Sequence, residues 1–169
     1  FGFGQITGIP LENELPGRLK PWRDWSDAEL ANAAFGQGLS VTPLQMITAF
    51  AALANGGRLL QPILVDRTIA EDGTETLSET IVLDQVISEQ TSQTITAMLV
   101  ASTRDGFAKR GKVPGYTIAG KTGTSQIAYR GGWETGTGST IGTYMGYGPA
   151  MNPRFVVLVK LDRSRTALV

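Results

Sequence analysis

The chain has 169 residues, and its 15 Lys and Arg balance 15 Asp and Glu, so it carries no formal net charge. That balance argues against a nucleic-acid binder, which usually shows a basic excess. Cysteine and histidine are both missing, which excludes a disulfide framework, a Cys/His zinc site, a cysteine nucleophile and a Ser-His-Asp triad.

Any general base must therefore be Lys, Asp, Glu or Tyr. A hydrophobic content of 41% is that of a folded domain, and the length suits one domain that buries roughly two-thirds of its unfolded surface. Only 18% of residues are charged, so Thr, Ser, Gln and Gly must cover much of the surface. The longest apolar runs, Ala49–Ala54 and Phe155–Val159, fall far short of the roughly 18 residues a membrane helix needs. The chain opens on Phe1 in mid-pattern, and Thr166–Val169 show no terminating element. It reads as a piece of a longer chain.

In chain order, Phe1–Trp25 is punctuated by Gly and Pro and predicts loop with short turns. Trp22 and Trp25 are expected to anchor packing rather than bind ligand. Ser26–Phe35 predicts a short helix capped by Ser26 or Asp27 and ended by Gly36. Thr42-Pro43-Leu44-Gln45 is the clearest helix start. Thr42 and Gln45 form a capping box around a proline suited to the first turn. Leu44, Ile47, Ala51 and Ala54 mark one face and Met46, Phe50 and Leu53 the next, so this helix should be buried. Asn55-Gly56-Gly57 stops it. Leu59–Ile69 predicts a strand, on an edge or irregular because of Pro62.

From Asp66 to Glu89 there are seven acids and one arginine, a solvated acidic stretch turning at Asp72-Gly73. Ser88 should cap a long helix to about Thr103, with Ile95, Met98 and Leu99 inward. Arg104–Lys112 is a basic loop. Tyr116–Thr122 predicts a strand and Ser125–Gly138 a Gly-rich loop. Ile141–Gly148 and Arg154–Leu161 form two more strands, joined as an antiparallel hairpin by Pro149–Pro153.

Two motifs meet at Lys121. Gly115 to Thr122 matches the phosphate loop, G-x-x-x-x-G-K-[ST]. That loop needs a helix starting at the lysine to hold phosphate, yet six of the twenty residues from Gly123 to Gly142 are glycine. At about 0.8–1 kcal/mol per interior glycine, a helix there is ruled out. The other motif is Lys121-Thr122-Gly123-Thr124 on a strand, one signature of penicillin-binding proteins and serine β-lactamases.

The second motif has company. Val113-Pro-Gly-Tyr-x-Ile-Ala-Gly120 before it, Phe1-Gly-Phe-Gly-Gln-x-Thr-Gly-Ile9 and Phe35-Gly-Gln-Gly-Leu-x-Val-Thr-Pro-Leu-Gln45 occur in the order and spacing of a class B penicillin-binding protein. The chain resembles the C-terminal portion of that family's transpeptidase domain over residues 1–169. The resemblance implies an α+β, β-lactamase/transpeptidase-like fold, here a partial domain, with an antiparallel sheet and packed helices. One departure is large. No Ser stands three residues before a Lys or two before an Asn, so the S-x-x-K nucleophile motif and the S-x-N motif are expected ahead of Phe1. A smaller one is Asp105-Gly106-Phe107, where relatives often carry Gly-Thr-Gly.

The family's reaction is acyl transfer from peptidoglycan stem peptides, with β-lactams entering by the same route. By that resemblance, Lys121 and Thr124 serve the chemistry. Lys121 supplies positive potential, and Thr124 offers its N–H to the oxyanion hole. Thr122 and Gly123 bind the D-Ala tail, with Tyr129, Trp133 and Thr137 as candidate rim contacts. No metal or cofactor is implied. The implied setting is the outer face of the bacterial cytoplasmic membrane, reached through an N-terminal part beyond this chain, among other cell-wall synthesis or division proteins. Two other readings stay open: a non-catalytic penicillin sensor or structural cell-wall homologue, and the phosphate-loop nucleotidase.

Overall fold

The computed structural model describes residues 1–129 and 131–163, and among these residues three α-helices are each opened by a hydroxyl. Thr166–Val169 lie outside the described residues. The Ser26 hydroxyl accepts from the Glu29 amide and the Glu29 carboxylate accepts from the Ser26 amide, a full capping box at the start of α1 (Asp27–Ala34). Thr42 and Gln45 repeat the device at α2 (Pro43–Ala54), with Pro43 in its first turn. Apart from Pro43, no residue of α2 is exposed, as a helix apolar on most sides requires. Ser88 opens α3 (Glu89–Asp105) by accepting from Thr91.

The expected strand over Leu59–Ile69 is in fact two. Its first part is β1 (Arg58–Leu60) and its last part β2 (Arg67–Ile69), which belong to different sheets. Pro62 brings no N–H to a ladder, and the last main-chain bond before it runs from Gln61 to the Ile81 carbonyl. β2 pairs with β3 (Glu75–Leu77) in a hairpin turned by Asp72, whose carboxylate accepts from the Thr74 amide. β1 pairs with β4 (Val82–Gln85). All of β2 and β3 is exposed, so the acidic stretch is solvated as expected.

The inner stripe of α3 is Ser92, Ile95, Leu99 and Thr103. Met98 is 64% exposed rather than inward. At about 100° per residue it falls beyond the Ile95 margin of that stripe. Trp22 is likewise no packing anchor, being 69% exposed with only the Arg23 guanidinium over its ring. Trp25 is half-buried, and its indole N–H donates to the Lys20 carbonyl at 2.7 Å.

The last third forms the main sheet. β5 (Ala119–Gln126) starts later than expected, because Tyr116 is spent in a tight turn with Val113 and the Thr117 carbonyl accepts from Ala150. It also runs further, taking in Ser125 and Gln126. The rest of the expected loop contains a two-residue ribbon, β6 (Ala128–Tyr129) against β7 (Gly132–Trp133). Then β8 (Thr140–Gly148) and β9 (Phe155–Asp162) make the expected hairpin, and the strand order is β5-β8-β9, all antiparallel.

Helices α2 and α3 pack on this sheet. The shared core is Phe50, Leu99, Ala119, Tyr147 and Ala150, with Phe50 edge-on to Tyr147 at 5.5 Å between ring centres. The Tyr147 hydroxyl, buried with its ring, pairs with Thr96 at 2.6 Å. Burial pushes that phenol above its ordinary pKa.

Candidate active site

The Lys121–Thr124 motif lies in the middle of β5, and among the described residues no helix follows Lys121. The phosphate-loop reading therefore has no helix N-terminus on which to place a phosphate. Helix α3 packs against β5. Ala119 and Gly120 are buried, and exposure rises from Lys121 onward.

Among the described residues β5 pairs only with β8, so its other side is an open edge. Main-chain bonds in an antiparallel pair alternate along each strand. Just past β5, Ile127 donates to the Ser139 carbonyl, its register partner. Counting back, Ser125, Gly123 and Lys121 spend their main-chain groups on β8. Thr122 and Thr124 turn theirs to the open edge. The complementary set agrees, since the Arg163 amide donates to the Thr140 carbonyl and so commits the even positions of β8 to β9.

The pleat then sorts the side chains. Thr122 and Thr124 share one face, half-buried and exposed respectively, while Lys121 stands on the other. The Lys121 amine donates to the Thr122 carbonyl at 2.7 Å. That bond leaves two of its three N–H groups for other acceptors and holds the cation beside the edge. Gly123 sits opposite Thr143, whose hydroxyl would lie 2.5 Å from an added Cβ. A side chain there is thus excluded from within the sheet as well as from the edge.

Beside this end of β5 runs a groove of about 470 Å³. Gly123 and Ser125 line it together with Thr143 and Lys160, their neighbours across β8 and β9, so it lies on the sheet face that carries Lys121; Phe3, Pro43 and Met46 line it from the helix side. Tyr129 and Trp133 are on the β6–β7 ribbon, where Tyr129 opposes Gly132 and Ala128 opposes Trp133. The pleat sends the two aromatic rings to opposite faces of that ribbon, so they do not line one surface together. Both are about half exposed, and Thr137 lies in the exposed turn that follows. Glu134 ties the loop down: its amide donates to the Ile127 carbonyl, and its carboxylate accepts from both terminal guanidinium nitrogens of Arg163.

Sequence reasoning missed three contributors. Thr143 backs Gly123. Tyr144, paired with Thr122 on the neighbouring strand, lays its ring over Gly146 so that its hydroxyl end fills the space left by the missing Cβ atoms of Gly111 and Gly120. Gln45 was visible only as a capping residue, yet its side chain also donates to the Gln5 and Pro16 carbonyls.

An antiparallel sheet packed by helices is the architecture of the β-lactamase/transpeptidase class of folds, and Lys-Thr-Gly-Thr is one of that class's sequence signatures. The family model for the penicillin-binding protein transpeptidase domain matches residues 1–167. The chain belongs to this family. It is similar to the stage V sporulation protein D of Bacillus subtilis, with 38% identity over 98% of this chain and 26% of that protein. It is 31% identical to a probable peptidoglycan D,D-transpeptidase, PenA, of Neisseria flavescens, over 95% of this chain and 37% of PenA. Crystallographic penicillin-binding protein 3 from Mycobacterium tuberculosis, in complex with aztreonam, superposes with a TM-score of 0.86 at 36% identity, over 98% of this chain and 38% of that one. The chain spans about a quarter of the length of the first curated relatives it matches.

Proposed function

We propose that this chain supplies the substrate-binding strand and one oxyanion donor of a peptidoglycan D,D-transpeptidase. The supporting observation is the open edge of β5, on which Thr124 turns both its N–H and its carbonyl outward. An extended stem peptide ending in D-Ala-D-Ala can add itself there as a strand, its own N–H donating to the Thr124 carbonyl.

The chemistry follows from that placement. A serine Oγ attacks the penultimate D-Ala carbonyl while its proton passes to the lysine of S-x-x-K. Serine and lysine both belong to the region ahead of Phe1. The negative charge that develops on the carbonyl oxygen is held by the Thr124 N–H and by the serine's own N–H. Each such donor contributes about 2.7–4 kcal/mol to the transition state. Collapse breaks the peptide bond, the terminal D-Ala leaves with the proton on its amine, and the acyl group stays on serine. An amine of a neighbouring stem then attacks the ester, frees the serine and completes the cross-link.

Thr122 and Thr124, on one face, can donate their hydroxyls to the terminal carboxylate, with charge-assisted bonds of roughly 1.5–3 kcal/mol each. Lys121 supplies positive potential from the other face and helps hold the proton-transfer network. Tyr129 or Trp133 rims the cleft. A β-lactam would enter by the same steps and leave slowly. No step calls for a metal or cofactor. The whole protein would be anchored in the bacterial cytoplasmic membrane by a segment outside these residues, facing outward among other cell-wall synthesis or division proteins.

Labelling with fluorescent penicillin tests the reading. The chain alone is expected to take up none. The same chain with its upstream region is expected to label at the serine of S-x-x-K. An extended protein that folds but stays unlabelled would leave the non-catalytic sensor or structural homologue in its place.

A further inference from the structure

We infer that Gln45 is a positioning residue for this site, acting through the groove wall that faces Gly123–Ser125. The inference rests on the transpeptidase reading above. Gln45 is 1% exposed, and its amide makes three hydrogen bonds. The side-chain oxygen accepts from the Thr42 amide at 3.0 Å, while the nitrogen donates to the Gln5 carbonyl at 2.6 Å and the Pro16 carbonyl at 2.8 Å. One side chain thus joins three stretches of chain that have no regular structure in common.

Two of those stretches bear on the groove. Phe3, two residues before Gln5, belongs to its far wall together with Ser40, Pro43 and Met46. Pro16 leads into Gly17 and Arg18, and Arg18 exchanges both main-chain bonds with Ser40. Gly17 has φ of 70°, and a Cβ there would come within 2.5 Å of the Ser40 carbonyl and 3.1 Å of the Gln45 oxygen. The packing around Gln45 therefore leaves no slack.

Residues 1–16 contain no helix or strand of their own. Their path is set by side chains: Gln45 at Gln5 and Pro16, Gln61 at the Gly8 carbonyl (2.7 Å), and Glu14 folding back onto the Thr7 and Gly8 amides. Of these, Gln45 alone is fully buried and alone sits on the helix that packs against β8 and β9. It transmits the position of the sheet to the segment that lines the groove across from Gly123 and Ser125, on the Lys121 face. Misplacing that segment by about an ångström is the kind of change that costs up to a hundredfold in rate.

The test uses the full-length protein with Gln45→Glu and Gln45→Met. Glutamate keeps the acceptor for Thr42 but, when ionised, offers nothing to the two carbonyls; methionine keeps the length alone. Acylation by fluorescent penicillin is resolved into pre-covalent binding and the acylation rate, at a temperature where circular dichroism shows each variant folded. The acylation rate is expected to fall about ten- to a hundredfold in both variants. In Gln45→Glu it should recover in part as pH falls, because the protonated carboxyl regains one donor, whereas Gln45→Met should keep the wild-type pH profile. Variants that melt earlier but acylate at the wild-type rate would overturn the inference and leave Gln45 a structural clasp. An unlabelled wild-type protein would overturn the transpeptidase reading itself, and the inference with it.

Discussion

The edges at β5 and β9 are each eight residues long, and both are unpaired among the described residues. Their chemistry differs. β5 presents Lys, Thr, Gly and Thr, with main-chain groups open and little side chain in the way. β9 carries Phe155, Val157, Val159 and Leu161 on one face, each 42–54% exposed. Polar, small residues beside free amides suit a ligand that comes and goes. A long apolar edge is an aggregation hazard unless something covers it. The comparison teaches that an open edge is not itself a site; the side chains flanking it decide what kind of neighbour it can take.

The sharpest way to break the comparison is proline. At Thr124 the N–H faces the open edge, so Thr124→Pro in the full-length protein removes one donor without taking a bond from the sheet. Acylation should fall by about 10²–10³ while the melting temperature moves little. Gly123→Pro, one residue earlier, removes a bond to β8 and should unfold the strand. Thr124→Val keeps the N–H and should slow acylation less, through weaker carboxylate binding. Equal losses of stability for the two prolines, read by thermal melting, would mean that the edges have been misassigned.

A second substitution probes β9. Lysine at Val159 should make the chain on its own more soluble, measured by sedimentation. In the full-length protein the same change should destabilise by about 1.5–3 kcal/mol, the burial value of the lost side chain. A full-length protein indifferent to the lysine would mean that water, not protein, covers that face.

Tyrosine to phenylalanine extends the comparison from edges to faces. On one face of β8 the Tyr147 hydroxyl is paired with Thr96. On the other, the buried Tyr144 hydroxyl has no partner among the described residues. Tyr147→Phe should therefore lose about 0.5–1.5 kcal/mol and Tyr144→Phe gain about 1 kcal/mol, because removing an unpaired buried hydroxyl relieves its desolvation penalty. Thermal denaturation of the two variants side by side checks the opposite signs.

What the sequence made legible was local. Capping at Ser26, Thr42 and Ser88 depends on residues three positions apart, and all three helix starts fall where those patterns place them. The β8–β9 hairpin was legible for the same reason. Non-local choices were not. Met98 is apolar, but whether it faces inward depends on where α3 meets the sheet. Pro62 signalled an irregular strand without saying that β1 and β2 would choose different partners. Lys121–Thr124 was readable as a motif. That Thr122 and Thr124 turn their amides outward depends on a register with β8 some twenty residues away. The Gln45 side chain reaches carbonyls 40 and 29 residues distant, which no short pattern encodes.

The smallest expected effect concerns Glu14, in the N-terminal segment. The Thr7 hydroxyl, then the Thr7 and Gly8 amides, hold its carboxyl below the usual carboxylate range. Because the folded value lies below the unfolded one, the contribution to stability is present above the ordinary value of 4.5 and is lost as pH falls through the lowered folded value. The carboxyl is solvent-facing, so the effect should be local, not global. Amide resonances of Thr7 and Gly8 are expected to shift together below pH 4.5 while those of β8 stay fixed. Glu14→Gln keeps one acceptor and should abolish the shift. A titration of Thr7 and Gly8 that survives in Glu14→Gln would assign the transition to another acid and leave the N-terminal segment held by its two glutamines alone.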